Sequence, residues 1–485
     1  MILHSQPRVV SLRHRRIRTI SRLRCVAALE CPSNRADAPP VSARPKSITI
    51  RTEAAFLSAV VAGAWLATAM LGMSAPTSAR ATSLAQAAPN GASLLEAAHD
   101  ARRRRDLADA DRLYRLAWRD VATRARAAES LHALESDGLE APVDEEQVEP
   151  VAQQLGAAFR RFESDHFVML SDAPRSTAQA KLEALERTHH QYFRAMDRLG
   201  FHAIPAPQKL LCILFADHAM YRAFASAQDG VDAAWVAGYY AGLSNRAVFY
   251  EDESGPSFTA ATQKLADAER RVRELEDQAT QARRDRRTDE AQFIAAKAEQ
   301  LSRQIASERA RLDTQARHAS IAKTIHEAVH LLAFNTGLQS RAHQYPFWIT
   351  EGLATSFETD RPHAAFGPDR PAEAREEELA RAVENDRLVS LESLVSALQP
   401  PDDNDQITES MYAQSWSLFG FLHRTERRSL SSFFDDMLDE PAGAMTDDRR
   451  LALFEEHFGD VDRVERRWIR YIKQSMPAVA QALQE

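Results

Sequence analysis

The sequence predicts an α+β fold that is mostly helical: a small α/β sheet unit, a long helical hairpin inserted after it, and a helical region beyond. Three observations lead there. Strand-like apolar runs are confined to residues 155–255, a stretch free of Pro and Gly fills 260–318, and helical apolar spacing dominates from 321 onward. With 485 residues the chain exceeds one ordinary core, so several folding units are expected.

Taken in order, residues 1–81 form a leader. Basic residues such as Arg13, Arg15 and Arg16 precede the uncharged stretch 54–75, and the small-residue run Ala79, Arg80, Ala81 comes after it. Positive region, apolar region and cleavage site occur in the order of a signal peptide. The stretch is also long enough to cross a hydrocarbon core of ~30 Å as a helix, so cleavage and membrane anchoring both stay open. Either one places residues 82–485 outside the cytoplasm. The fifty residues before it read as a long basic leader or an over-extended start.

Residues 82–150 are expected to be helical over 91–137, with a linker near Gly138 and Pro142. The α/β unit spans 155–255. A strand is expected over 162–170, a helix over 177–199, a buried strand over 209–215, a short helix over 220–227 and two strands around a turn over 236–250. Cys212 lies in the buried strand; with Cys25 and Cys31 in the leader, it reads as a lone buried thiol.

In the insertion, 256–320, Leu265, Ala268, Val272, Leu275, Ala279 and Ala282 recur at a/d spacing on a first arm. Ile294, Ala298, Leu301, Ile305 and Leu312 do so on a second. The polar run 284–290 separates them, predicting an antiparallel coiled-coil hairpin or two long helices laid on the body. A partner protein is an expected occupant of such a hairpin. The regions 321–425 and 426–485 read as the chemical unit and C-terminal helices, with loops near 366–370 and 400–405.

The net charge of −8 gives no reason to expect nucleic-acid binding, and membrane contact is expected only through 54–75. The chemistry lies in residues 324–334, TIHEAVHLLAF. Ile325, Val329, Leu332 and Ala333 supply an apolar helical face. His326 and His330 are four apart, about 40° around the axis, so both imidazoles leave one face. That spacing lets two neutral nitrogens bind one Zn²⁺ at ~2.0–2.1 Å. Glu327, roughly 100° from His326, is placed to take a proton from zinc-bound water, whose pKa the ion lowers towards ~7. Alone, the pattern also fits two surface histidines on a helix.

The third ligand decides the class. A metzincin needs Gly three residues after His330 and His six after, where this chain has Ala333 and Thr336. His343 lies in a polar loop. Glu351 falls in residues 346–358, PFWITEGLATSFE, on a second helix expected to return its first-turn carboxylate to the metal.

HEAVH followed by WITEGLA resembles the gluzincins of peptidase clan MA, which include thermolysin and the aminopeptidase N family. The resemblance implies a thermolysin-like fold, His326, His330 and Glu351 as zinc ligands, and Glu327 as general base. Residues 412–422, YAQSWSLFGFL, resemble the aminopeptidase helix whose tyrosine hydrogen-bonds the tetrahedral intermediate. Tyr412 would stabilise the oxyanion there, or simply pack at a helix start. More narrowly, residues 162–424 resemble a bacterial family known as domain of unknown function 1570.

Two features depart from the better-known enzymes. Thermolysin-type enzymes carry Asp where this chain has Thr355, so Glu358 or Asp360 is the expected outer partner of a ligand histidine. No Gly-Ala-Met-Glu-Asn-type segment precedes the first ligand helix, so aminopeptidase activity is not implied. The resulting expectation is an exported zinc-dependent peptidase acting on peptides or proteins. The alternative is an inactive peptidase-fold protein that serves as an extracytoplasmic scaffold through its coiled coil.

Overall fold

The computed structural model describes residues 90–231, 238–359, 361–370, 372–401 and 404–483. The expected leader or anchor at 54–75 and the candidate Asp360 lie outside them. No described helix is long and apolar enough to cross a membrane.

Helices α1 (Gly91–Arg103), α2 (Leu107–Trp118) and α3 (Arg124–Ser136) occupy the expected helical N-terminal region. Small residues let them pack closely. Ala98, Ala101, Ala110, Ala117 and Ala127 are buried with Leu95, Tyr114, Leu131 and Leu134. The short linker expected near Gly138 and Pro142 lies between Ser136 and Glu145. It gives way to α4 (Glu145–Leu155), whose first turn is capped by the Asp144 side chain accepting from Gln147 N at 3.2 Å.

The sheet comes next. The single strand expected over 162–170 is two: β1 (Arg160–Glu163) and β2 (Phe167–Ser171) pair antiparallel around a polar turn at Ser164, Asp165 and His166. Four consecutive polar residues, 163–166, interrupt the apolar pattern there, a turn signal inside the segment expected as one strand. Helix α5 (Arg175–Leu199) crosses to β3 (Leu210–Phe215), then α6 (His218–Phe224) leads to β4 (Gly238–Ala241) and β5 (Arg246–Tyr250). The order is β1-β2-β3-β5-β4, with β2, β3 and β5 parallel and both outer strands antiparallel to their neighbours. Successive side chains leave opposite faces. Met169, Cys212, Leu214 and Phe249 pack into the main core, whereas Leu170, Leu211, Ile213 and Val248 pack with Val148 and Val151 of α4 and with Tyr221 and Phe224 of α6.

Beyond the sheet lie α7 (Pro256–Arg284) and α8 (Thr288–Asn335). They meet along a shared seam in which Leu265, Val272, Leu275, Ala298, Ile305 and Leu312 are buried. The turn between them carries Arg286 at φ 60°. The expected boundary near residue 320 is absent: the second arm and the H-E-x-x-H segment are one continuous helix of 48 residues. Nothing in the sequence breaks it, since no Pro or Gly occurs between Thr288 and Asn335.

The remaining chain is helical: α9 (Phe347–Thr355), α10 (Glu373–Glu384), α11 (Leu391–Ser396), α12 (Asp405–Thr425), α13 (Arg427–Asp439), α14 (Asp447–Phe458), α15 (Val461–Ser475) and α16 (Pro477–Ala482). Two short segments, β6 (His343–Gln344) and β7 (Gly443–Ala444), form a parallel pair. One apolar cluster joins the inner sheet face, α5, the end of α8 and these helices. The molecule is therefore mostly helical with a small mixed sheet.

Candidate metal centre

The last turns of α8 are buried on all sides, from Lys323 to Phe334. A helix surrounded this way holds its polar side chains only where they find partners. It ends at Thr336, whose backbone N–H bonds Leu332 O at 2.9 Å. Gly337 comes after it at φ 89°, the left-handed conformation that terminates helices and favours glycine.

Helix α9 arrives opposite. Phe347 N–H donates to Ala397 O at 2.8 Å, fixing the first turn. Trp348 is fully buried against Phe433, Phe454 and Phe458. Replacing such an anchor by Ala costs about 3–5 kcal/mol. Glu351 is the fifth residue of α9, so its carboxylate leaves the second turn rather than the expected first. At Gly352 an added Cβ would stand 2.6 Å from Ser415 O on α12. The missing side chain thus lets α9 and α12 approach closely, and Tyr412 lies one turn back along α12.

These placements converge. His326 Nε2 lies 3.0 Å from His330 Nε2 and 3.1 Å from Glu351 Oε2, and His330 Nε2 lies 3.5 Å from the same oxygen. An ion held tetrahedrally at ~2.0–2.1 Å separates its ligand atoms by about 3.3–3.4 Å. The triangle already has that size. All three residues are buried. Glu327 is buried beside them, and its Oε1 has no hydrogen-bond partner among the described residues. An unpaired buried carboxylate oxygen costs free energy unless it has work elsewhere. The residues fit a divalent metal with a base next to it, and the surface-histidine alternative is excluded by burial.

Electrostatics agrees. Burial pushes the His326 imidazole down, yet hydrogen bonds to Glu351 and Glu358 and the charges of Glu327 and Glu351 lift it to about 10. Burial would raise Glu351, but His330 and His326 hold it at about 2. The cluster is arranged to hold positive charge. Burial raises Glu327 above the usual carboxylate range, with Glu351 adding to the effect while His326, His330 and Lys323 oppose it.

Of the two outer-partner candidates, Glu358 is in place: its Oε1 lies 2.8 Å from His326 Nδ1. Thr355 turns inward instead, its hydroxyl donating to Glu351 O at 2.6 Å. Sequence reasoning missed Arg375. From α10 its guanidinium donates to both Glu358 oxygens, at 2.7 and 2.6 Å, and to Glu378 at 2.7 Å. An arginine in an otherwise acidic helical run, EAREEELAR, gave no local signal of burial. Lys323 was missed too. Fully buried one turn before His326, it donates to Tyr250 O at 2.7 Å and pairs with Asp252 at 3.1 Å.

Tyr412 is buried, with its ring 6.5 Å from that of His326 and 4.9 Å from that of Phe347. His343 is elsewhere, its Nε2 paired with Glu440 O at 2.8 Å. The outer strand β4 runs past the centre, where a Cβ added at Gly238 would lie 3.2 Å from Glu327 Cγ.

No curated protein and no solved structure matches the chain. Residues 320–441, which carry the end of α8 with His326 and His330, all of α9, Glu358, Arg375 and Tyr412, match the model of a family described as protein of unknown function, DUF1570.

Proposed function

We propose that this chain is an exported zinc-dependent metallopeptidase of the gluzincin type, with a thermolysin-like catalytic fold. One observation carries the reading: His326, His330 and Glu351 converge at ligand spacing beside the unpaired Glu327 carboxylate. A histidine pair with one carboxylate is a borderline nitrogen and oxygen set suited to Zn²⁺. A bound Zn²⁺ would polarise the scissile carbonyl and lower the pKa of water towards ~7.

The rest is the work of the chain. Glu327 Oε1 accepts a proton from the attacking water and returns it to the leaving amine. Glu358, clamped by Arg375, fixes the His326 ring so that Nε2 faces the ligand triangle. Tyr412 donates a hydrogen bond to the oxyanion of the tetrahedral intermediate. The outer edge of β4 receives an extended peptide by strand addition, which puts its backbone past Glu327. The α7–α8 pair acts as a coiled-coil insertion offering a partner surface, and export rests on residues 54–75.

Incubating the zinc-loaded chain and its Glu327→Gln form with a peptide library tests this. General-base loss lowers a rate about 10²–10⁴-fold. Cleavage that collapses in the variant, with metal retained, is the expected result. Identical behaviour of both forms would sink the peptidase and leave the scaffold alternative.

A further inference from the structure

Among the described residues a second cluster has metal-ligand composition: His166, Glu186 and His189, with ligand atoms all within 4.8 Å of one another. His166 sits in the β1–β2 turn, while Glu186 and His189 stand three apart on α5. Residues three apart on a helix are neighbours on its surface, so carboxylate and imidazole project side by side.

The turn is pinned onto the helix. Glu186 accepts from His166 N at 2.8 Å through Oε1 and faces His166 Nδ1 at 2.7 Å through Oε2. A second carboxylate, Glu135 at the end of α3, stands 3.7 Å from His166 Nε2. The His189 ring stacks on His166 with centroids 3.7 Å apart. His189 is only 9% exposed, and its ring makes no hydrogen bond to a described residue. The His166–Glu186 pair gives that ring a stacking partner but no polar one.

From this geometry we infer a second divalent-metal site, held by His166, Glu186 and His189, suited to Zn²⁺ or a similar first-row ion. The ligand set is again histidine with carboxylate, the borderline chemistry of such ions. The atoms stand at most 4.8 Å apart, about 1.5 Å more than a tetrahedral ion demands, a gap that side-chain rotation closes. The donors come from the β1–β2 turn and α5, so the ion clips that turn onto the helix. The site is structural: buried His189 with partly exposed His166 and Glu186, far in sequence from Glu327.

The test is metal content per full-length chain after zinc reconstitution and removal of loose ions, for the parent, Glu186→Gln and Glu351→Ala. Gln at 186 keeps the oxygen that accepts from His166 N, so the turn stays pinned. The expected counts are two in the parent and one in each variant, with a lower melting temperature on chelation that Glu186→Gln abolishes at this site. A parent holding one ion that Glu351→Ala keeps and Glu186→Gln loses would support this site while refuting the first. Equal metal content in the parent and Glu186→Gln overturns it.

Discussion

The Nδ1 atom of His326 lies 2.8 Å from Glu358 Oε1, and Arg375 holds the same carboxylate from its other side at 2.6–2.8 Å. A candidate ligand histidine is thus oriented by a carboxylate that is itself oriented by a buried guanidinium. Burial would raise Glu358, but Arg375 and then His326 keep it below the usual carboxylate range, so it stays an anion able to accept from Nδ1.

Removing that oriented acceptor is expected to loosen the metal without removing a ligand. Glu358→Ala should weaken zinc affinity about 10–100-fold, and Glu358→Gln, which keeps an acceptor oxygen, should weaken it less. Competition with a chromophoric chelator reads both.

The close approach of α9 and α12 predicts opposite effects at two glycines. A Cβ at Gly352 meets Ser415 O at 2.6 Å, so Gly352→Ala should destabilise the fold by about 1–3 kcal/mol. Gly420, inside α12, has nothing within 4 Å of its added Cβ, and Gly420→Ala should stabilise by about 0.8–1 kcal/mol. Denaturant midpoints distinguish the two.

His423 makes stability acid-sensitive. Its side chain is fully buried on α12, stacked on Phe419, with neither ring nitrogen hydrogen-bonded to a described residue. Burial, aided by Arg427 and Arg424 and opposed by Asp369, pushes it from 6.5 down to about 4. Between those values the unfolded chain binds a proton that the folded chain does not, so stability falls as pH drops through that window. The loss approaches about 3 kcal/mol by pH 4. His423→Phe should flatten the melting temperature over pH 6.5–4.

The turn between α7 and α8 should be the first tryptic site. Arg283, Arg284, Arg286 and Arg287 are exposed there, and exposed turns are preferred points of nicking. The seam of Leu265, Val272, Leu275, Ile305 and Leu312 is buried between the arms, so the fragments should stay together in gel filtration.

Much of this was legible in the sequence because it is periodic. The a/d residues of 260–318 are the buried seam, and Ile325, Val329 and Leu332 mark the ligand helix as a core helix. The convergence of His326, His330 and Glu351, with Glu358 behind His326, follows from short-range spacing combined with a family resemblance. Features set by distant partners were not legible. The polar run 163–166 marks the β1–β2 reversal locally, whereas the unbroken α8 spans what composition divides at 320. Arg375 and Lys323 look like solvated charges until Glu358 and Tyr250 O are brought to them from 17 and 73 residues away.

The most direct test of the central claim is zinc bound per chain in the parent against the Glu351→Ala form, measured by elemental analysis after reconstitution. The three-ligand centre predicts one fewer zinc in Glu351→Ala at unchanged helical content. Equal zinc in the two forms, with both folded, would contradict it.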